Sequence, residues 1–143
     1  MNKTEKYLEL MVLVLKADGI IDERERALMY RMIKNVGMKD ELVEKYDAKL
    51  TIDNSENKEK ILTEIASDLD PATLTGMVRD AYIMADADNT IDPSEVQVIN
   101  EFLGKAGIPE ERFKEIETWA RKNIAHLKRG QRLMTRPRSE RGG

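Results

Sequence analysis

Hydrophobic positions recur at helical spacing along most of the chain, and polar turn residues interrupt them at short intervals. Tyr7, Leu8, Met11, Val12 and Leu15 form one stripe, which predicts a first helix over about Thr4–Lys16. Asp18-Gly19 then marks a turn. A second helix begins after Asp22, with Leu28, Met29, Met32, Ile33 and Val36 apolar and Gly37 placed as its C′ residue. A third is expected over Asp40–Leu50. Asp53-Asn54-Ser55 reads as loop and cap before a fourth helix, which runs to about Leu69 with Ile61, Leu62, Ile65 and Leu69 inward. Asp70-Pro71 and Asp92-Pro93 each set an N-cap acid before a proline at the first helical position, opening the fifth and sixth helices. Gly104 and Gly107 bracket the end of the sixth. Pro109 opens the seventh, whose stripe is Phe113, Ile116, Trp119, Ala120, Ile124 and Leu127. Periodicity fades from Arg129, and Gly130, Pro137, Ser139, Gly142 and Gly143 predict a mobile end. The expected fold is a single all-α domain of about seven helices over residues 1–128, followed by a basic, flexible tail over 129–143.

One motif occurs twice. Residues 17–25 read Ala-Asp-Gly-Ile-Ile-Asp-Glu-Arg-Glu, and residues 87–95 read Ala-Asp-Asn-Thr-Ile-Asp-Pro-Ser-Glu. The offset is 70, and five of the nine positions are identical. The same register aligns Gly37 with Gly107 and Glu41 with Glu111. Two helix-loop-helix units are therefore expected, pseudo-symmetric and joined by the middle helix, each presenting acids at the same spacing.

Composition removes several chemistries. With 0 Cys, disulfides, thiolate catalysis and cysteine-based zinc sites are excluded. His126 is the single histidine, which argues against a His-based metal centre or a Ser-His-Asp triad. No Gly-rich phosphate loop or Gly-x-Ser-x-Gly elbow occurs. Lys3 and Lys6 before the apolar run Leu10–Leu15 mimic a signal peptide, but Glu9 interrupts it and no small-residue cleavage site follows. A cytoplasmic location is expected, with no transmembrane span. The 8 Met read as core filler. Charge is divided unevenly: residues 1–120 carry 16 Lys+Arg against 26 Asp+Glu, whereas 121–143 carry 8 against one.

The repeated acids admit two readings. As an EF-hand anchored on Glu95, the second loop places Met84 at the first ligand position; the first loop places Val14 there and Lys16 at the third. Neither builds a full calcium cage. The structural alternative is complete: Asp22/Glu25 and Asp92/Glu95 stand as capping boxes, Asp18-Gly19 and Asp88-Asn89 as turn pairs, Ile21 and Ile91 as staples. Against a purely structural role stands the stretch Asp80–Gly104, with six acids and no Lys or Arg. Crowded like charges call for a divalent cation or a basic partner. The candidate metal ligands are Asp18, Asp22, Glu25, Asp86, Asp88, Asp92 and Glu95, whose hard oxygens suit calcium, magnesium or manganese.

Residues Ala17–Glu25, with the similar Ala87–Glu95, resemble the signature of the TerB-like family linked to tellurite resistance. There the pattern Ala-Asp-Gly-x-Ile-x-x-x-Glu follows a hydrophobic helix and recurs in a second unit. Asn89 and Thr90 replace the glycine and the apolar residue in the second copy. The resemblance covers roughly residues 4–127. It implies a small, all-helical, non-enzymatic module associated with stress and metal response, its acidic face engaging a cation or an unidentified protein partner. The alternative is an adaptor acting through the basic tail Lys128–Arg141, with the acids serving only as helix caps. That tail offers contact to nucleic acid or to an anionic membrane surface. It contains no aromatic to stack on bases, which argues against single strands, and it is also able to fold back on the acidic body. A metal-dependent hydrolase is a third reading, against which stands the lack of any cleft signal.

Overall fold

The computed structural model describes residues 1–17, 23–35, 44–46, 58–86 and 90–135, with the backbone alone at 25, 32 and 35. Its helices are α1 (Lys3–Leu15), α2 (Glu23–Asn35), α3 (Lys58–Ala66), α4 (Pro71–Ala85), α5 (Pro93–Lys105) and α6 (Phe113–Met134), the last entered through a 3-10 turn at Glu110–Arg112. Residues 44–46 are also helical, within the span expected for a helix between α2 and α3. No strand occurs among the described residues. The all-α reading with about seven helices holds.

Local signals fix the helix ends. Asn2 caps α1 by accepting the Glu5 N–H at 2.8 Å. Asp70 caps α4 by accepting the Thr73 N–H at 3.2 Å, with Pro71 behind it. At the end of α5, Gly107 N–H donates to the Gly104 carbonyl (3.1 Å) and Ile108 N–H to the Leu103 carbonyl (3.0 Å). This crossed pair is a Schellman closure and needs a left-handed residue, supplied by Gly107 at φ 88. α3 stops at Ala66, short of the expected Leu69. Asp68 takes φ 52, a left-handed conformation that Asp tolerates, so the chain turns before Leu69 is reached.

α1 is the central helix. Every residue from Leu8 to Leu15 is buried, including Glu9, so it is apolar on nearly all sides rather than on one stripe. The apolar run that mimics a signal peptide is thus core. α4 packs along α1, α3 lies against α1 and α5, and α6 rests on α4 and α5. Tyr82, Phe102, Met29 and Ile33 close the interior around α1.

The repeat is visible in the boundaries. Leu15 and Ala85 end the first helix of each unit, Glu23 and Pro93 begin the second, and Asn35 and Lys105 end it, all at the sequence offset of 70. Across the units α1 meets α4, while α1 meets α5 and α2 meets α4. A pseudo-twofold requires this exchange of partners.

Two members of the seventh-helix stripe depart from expectation. Trp119 and Leu127, expected inward, are exposed. The buried face of α6 centres on Ala120 and Ile124, and Trp119 lies about a third of a turn away. Leu127 continues the buried line, but the body ends beneath it. The helix itself persists through Gly130 to Met134, beyond the point where periodicity fades, on residues of good helix propensity such as Arg129, Gln131, Arg132, Leu133 and Met134.

Candidate functional site

The second acidic turn is described at both ends. α4 finishes at Ala85 with Asp86 as its C-cap. Asp92 is the N-cap of α5: its Oδ1 accepts the Ser94 N–H at 2.8 Å and also the Ser94 hydroxyl. Those two bonds, the hydroxyl first, hold the Asp92 carboxyl below its ordinary value. Glu95 reaches back, its Oε1 accepting the Asp92 N–H at 3.0 Å, so the capping box expected from Asp92 and Glu95 is present. Glu95 is only 3% exposed, a carboxylate set into the base of the turn.

Asp86 is not a free acid. The Lys128 ammonium, from α6, sits 2.5 Å from its Oδ2. The neighbouring acids have counter-charges too. Asp80 accepts from Arg79 Nε at 2.9 Å and from the Tyr7 hydroxyl at 2.8 Å, tying α4 to α1. Burial, followed by that bond to Asp80, pushes the Tyr7 phenol well above its usual range. Glu101 pairs with Lys58 of α3 at 3.3 Å. Three acids of the stretch therefore have counter-charges from outside it: Arg79, adjacent in sequence, and Lys58 and Lys128, distant in sequence.

Of the candidate ligands, the structure places Asp86, Asp92 and Glu95 around one turn. Asp18, Asp22 and Asp88, with the side chain of Glu25, lie outside the described residues, as do the Asp18-Gly19 and Asp88-Asn89 turns and Gly37. Among the described residues, no group of three or more Asp, Glu or His is arranged to hold a metal. The donors present are carboxylate oxygens, the chemistry that suits hard divalent cations. Asp92 accepts from Ser94 through Oδ1, and its side chain also takes the Glu95 N–H of the capping box.

Grooves elsewhere are poorer in chemistry. One of about 540 Å³ along α5 is lined by Gln97, Asn100, Glu101 and Glu110 beside apolar side chains. Another of about 420 Å³ between α4 and α6 holds His126 and the already paired Asp80. Neither lining joins a nucleophile to a base. No helix among the described residues is long and apolar enough to cross a membrane.

Sequence reasoning missed three contributors. Asn2 and Glu5 carry a readable cap spacing. The Tyr7–Asp80 and Lys128–Asp86 partnerships leave no local signal, because tertiary packing creates them.

The family described as tellurite resistance protein TerB matches residues 4–118, from the first turn of α1 into α6. No curated protein and no solved structure matches the chain. TerB is a helical fold and not a known enzyme family. The match spans both acidic turns and both repeated units but stops before Trp119 and Lys128. The chain belongs to the TerB family of tellurite resistance proteins.

Proposed function

We propose that this chain is a non-enzymatic TerB-type binding module whose repeated acidic turns take a hard divalent cation, calcium, magnesium or manganese. Lys128 neutralises the second turn when no cation is bound. The observation that carries this reading is the seating of the Lys128 ammonium on Asp86, at the edge of a turn that also holds Asp92 and the buried Glu95. A positive charge already occupies the place where the acids require one. Asp92 and Glu95 each commit one oxygen to the capping box, so that part of the turn is rigid before any ligand arrives. A role in stress response follows from membership of the family.

An amide-resolved titration with calcium, magnesium, manganese and zinc tests the proposal. Residues 17–25 and 86–95 should shift together with the hard cations. Shifts scattered over all surface acids, or none, sink it. A second reading keeps the acids as caps only and assigns binding to the basic end of the chain; the complete capping box at Asp92 favours it. It predicts no metal response at either turn.

A further inference from the structure

We propose that the outer half of α6 is an amphipathic surface that docks this protein on an anionic lipid bilayer. This inference is independent of cation binding at the acidic turns. Among the described residues, the exposed large hydrophobics beyond Met1 are Trp119 (38%), Leu127 (49%), Leu133 (70%) and Met134 (84%), and all four belong to α6. At about 100° per residue they fall within one arc of about 120°. Lys122, Arg129 and Arg132 occupy the adjoining arc of about 80°, and none forms an ion pair among the described residues. Apolar side chains beside a cationic flank on one helix are the arrangement of an interfacial helix: the apolar arc enters the headgroup boundary and the long cationic stems reach the phosphates.

The position of the helix permits this. Ile124 is its last buried residue and Lys128 still reaches Asp86, so the part from Arg129 to Met134, about 9 Å long, runs on past that ion pair. Residues 121–143 carry 8 Lys+Arg and one acid, against an acidic remainder, so attraction to a negative surface is confined to this end. The surface begins at Trp119, where the family match has ended, and so belongs to this chain's own extension of α6.

Other occupants fit less well. A second copy would bring two strongly cationic segments together. Nucleic acid would meet the charges but leave Leu133 and Met134 exposed, and residues 121–143 hold no Phe, Tyr or Trp to stack on bases.

The chain has 1 Trp, so Trp119 reports directly on its own face. Full-length protein is titrated with vesicles of phosphatidylcholine alone and of phosphatidylcholine containing phosphatidylglycerol, with flotation as the second readout. The expected result is a blue shift of Trp119 and co-flotation with the anionic vesicles, at least about tenfold weaker on the neutral ones. Two double variants divide the contributions. Arg129→Gln with Arg132→Gln and, separately, Leu133→Gln with Met134→Gln should each weaken binding about tenfold. Glutamine preserves helix propensity, and these positions touch no core, so circular dichroism should be unchanged. The proposal is overturned by any of four outcomes. Anionic vesicles are not bound, or the Leu133/Met134 variant binds them as tightly as wild type. Trp119 shifts with protein concentration in the absence of lipid, which is self-association. Salt-sensitive binding to duplex DNA occurs while vesicles are ignored.

Discussion

Replacing Lys128 by methionine separates a cation site from a merely structural turn. The substitution keeps a long stem and removes the one charge. In the folded protein the Asp86 carboxylate is 14% exposed and the Lys128 side chain 41% exposed, at 2.5 Å. One partner is half in water, so the pair is partly screened and contributes about 0.5–1 kcal/mol. Without cation, Lys128→Met should therefore lower Tm by about 2–4 °C. With cation the sign reverses. A divalent ion that uses Asp86 must first displace the ammonium, and the variant has none to displace. Its affinity should rise about two- to fivefold, the same free energy expressed as a binding ratio. Calorimetric titration with calcium and with magnesium, at matched ionic strength, reads this directly, and added salt should shrink the difference. Asp86→Asn is the control and should weaken binding whatever occupies position 128. Unchanged or weaker affinity in Lys128→Met refutes the reasoning, since Lys128 then does not compete for the site.

Three further outcomes follow from the same contacts. Asp70 and Asp92 are held below their ordinary value of 3.8 by bonds to Thr73 and Ser94, so their contribution is full above about pH 4 and is lost as pH falls through the lower folded values. Asp92→Asn caps equally well without titrating, so its urea midpoint should fall less steeply on acidification; an identical slope contradicts the assignment. Burial, with Glu117 adding to it, pushes the Tyr82 phenol up to about 12, and its hydroxyl is buried with no hydrogen-bond partner among the described residues. Tyr82→Phe should be neutral or up to about 1 kcal/mol more stable, and should resist the loss of stability that wild type suffers as pH rises from 10 towards 12; destabilisation in thermal melts would expose a missing partner. Gly107→Ala meets no atom within 4 Å but must hold φ 88, so chemical denaturation should show a cost of about 1–2 kcal/mol, and no change would mean the Schellman closure relaxes freely.

What was legible in the sequence was what a few contiguous residues decide. Asp70-Pro71, the Asp92/Glu95 box and Gly107 each fix a helix end through bonds reaching at most five residues along the chain, and all are present. The repeat was equally legible, because its offset of 70 is carried into the helix boundaries. Tertiary facts were not. The stripe Tyr7–Leu15 suggested one buried face, whereas α1 is surrounded, since whether Leu10, Leu13 and Val14 meet solvent depends on where α3, α4 and α5 lie. Trp119 was placed in the core because it keeps helical spacing with Ile116, yet the face that α4 and α5 cover is set by Ala120 and Ile124. The stretch Asp80–Gly104 reads as uncompensated because two of its cations, Lys58 and Lys128, stand on α3 and α6, and the third, Arg79, lies one residue before it.

The two units, equal in their helices, differ in charge at the mouth of the turn. Lys16 caps the C-terminus of α1, and the offset of 70 puts Asp86 in the same place on α4. A helix C-terminus carries partial negative charge from its unpaired carbonyls, so a lysine there is favourable and an aspartate unfavourable, by about 0.3–1 kcal/mol in each direction. α4 has no basic residue in its last turn to offset this. The first unit therefore neutralises its own helix end, and the second imports Lys128 from α6. A carboxylate kept in an electrostatically wrong place, at the edge of a turn shared with Asp92 and Glu95, makes the second turn the one that gains more from an added cation. On the proposed reading a divalent ion would satisfy both the acid and the helix end, and would displace the Lys128 ammonium from Asp86. The repeat thus supplies one scaffold twice, and the lysine-to-aspartate exchange makes the two copies unequal.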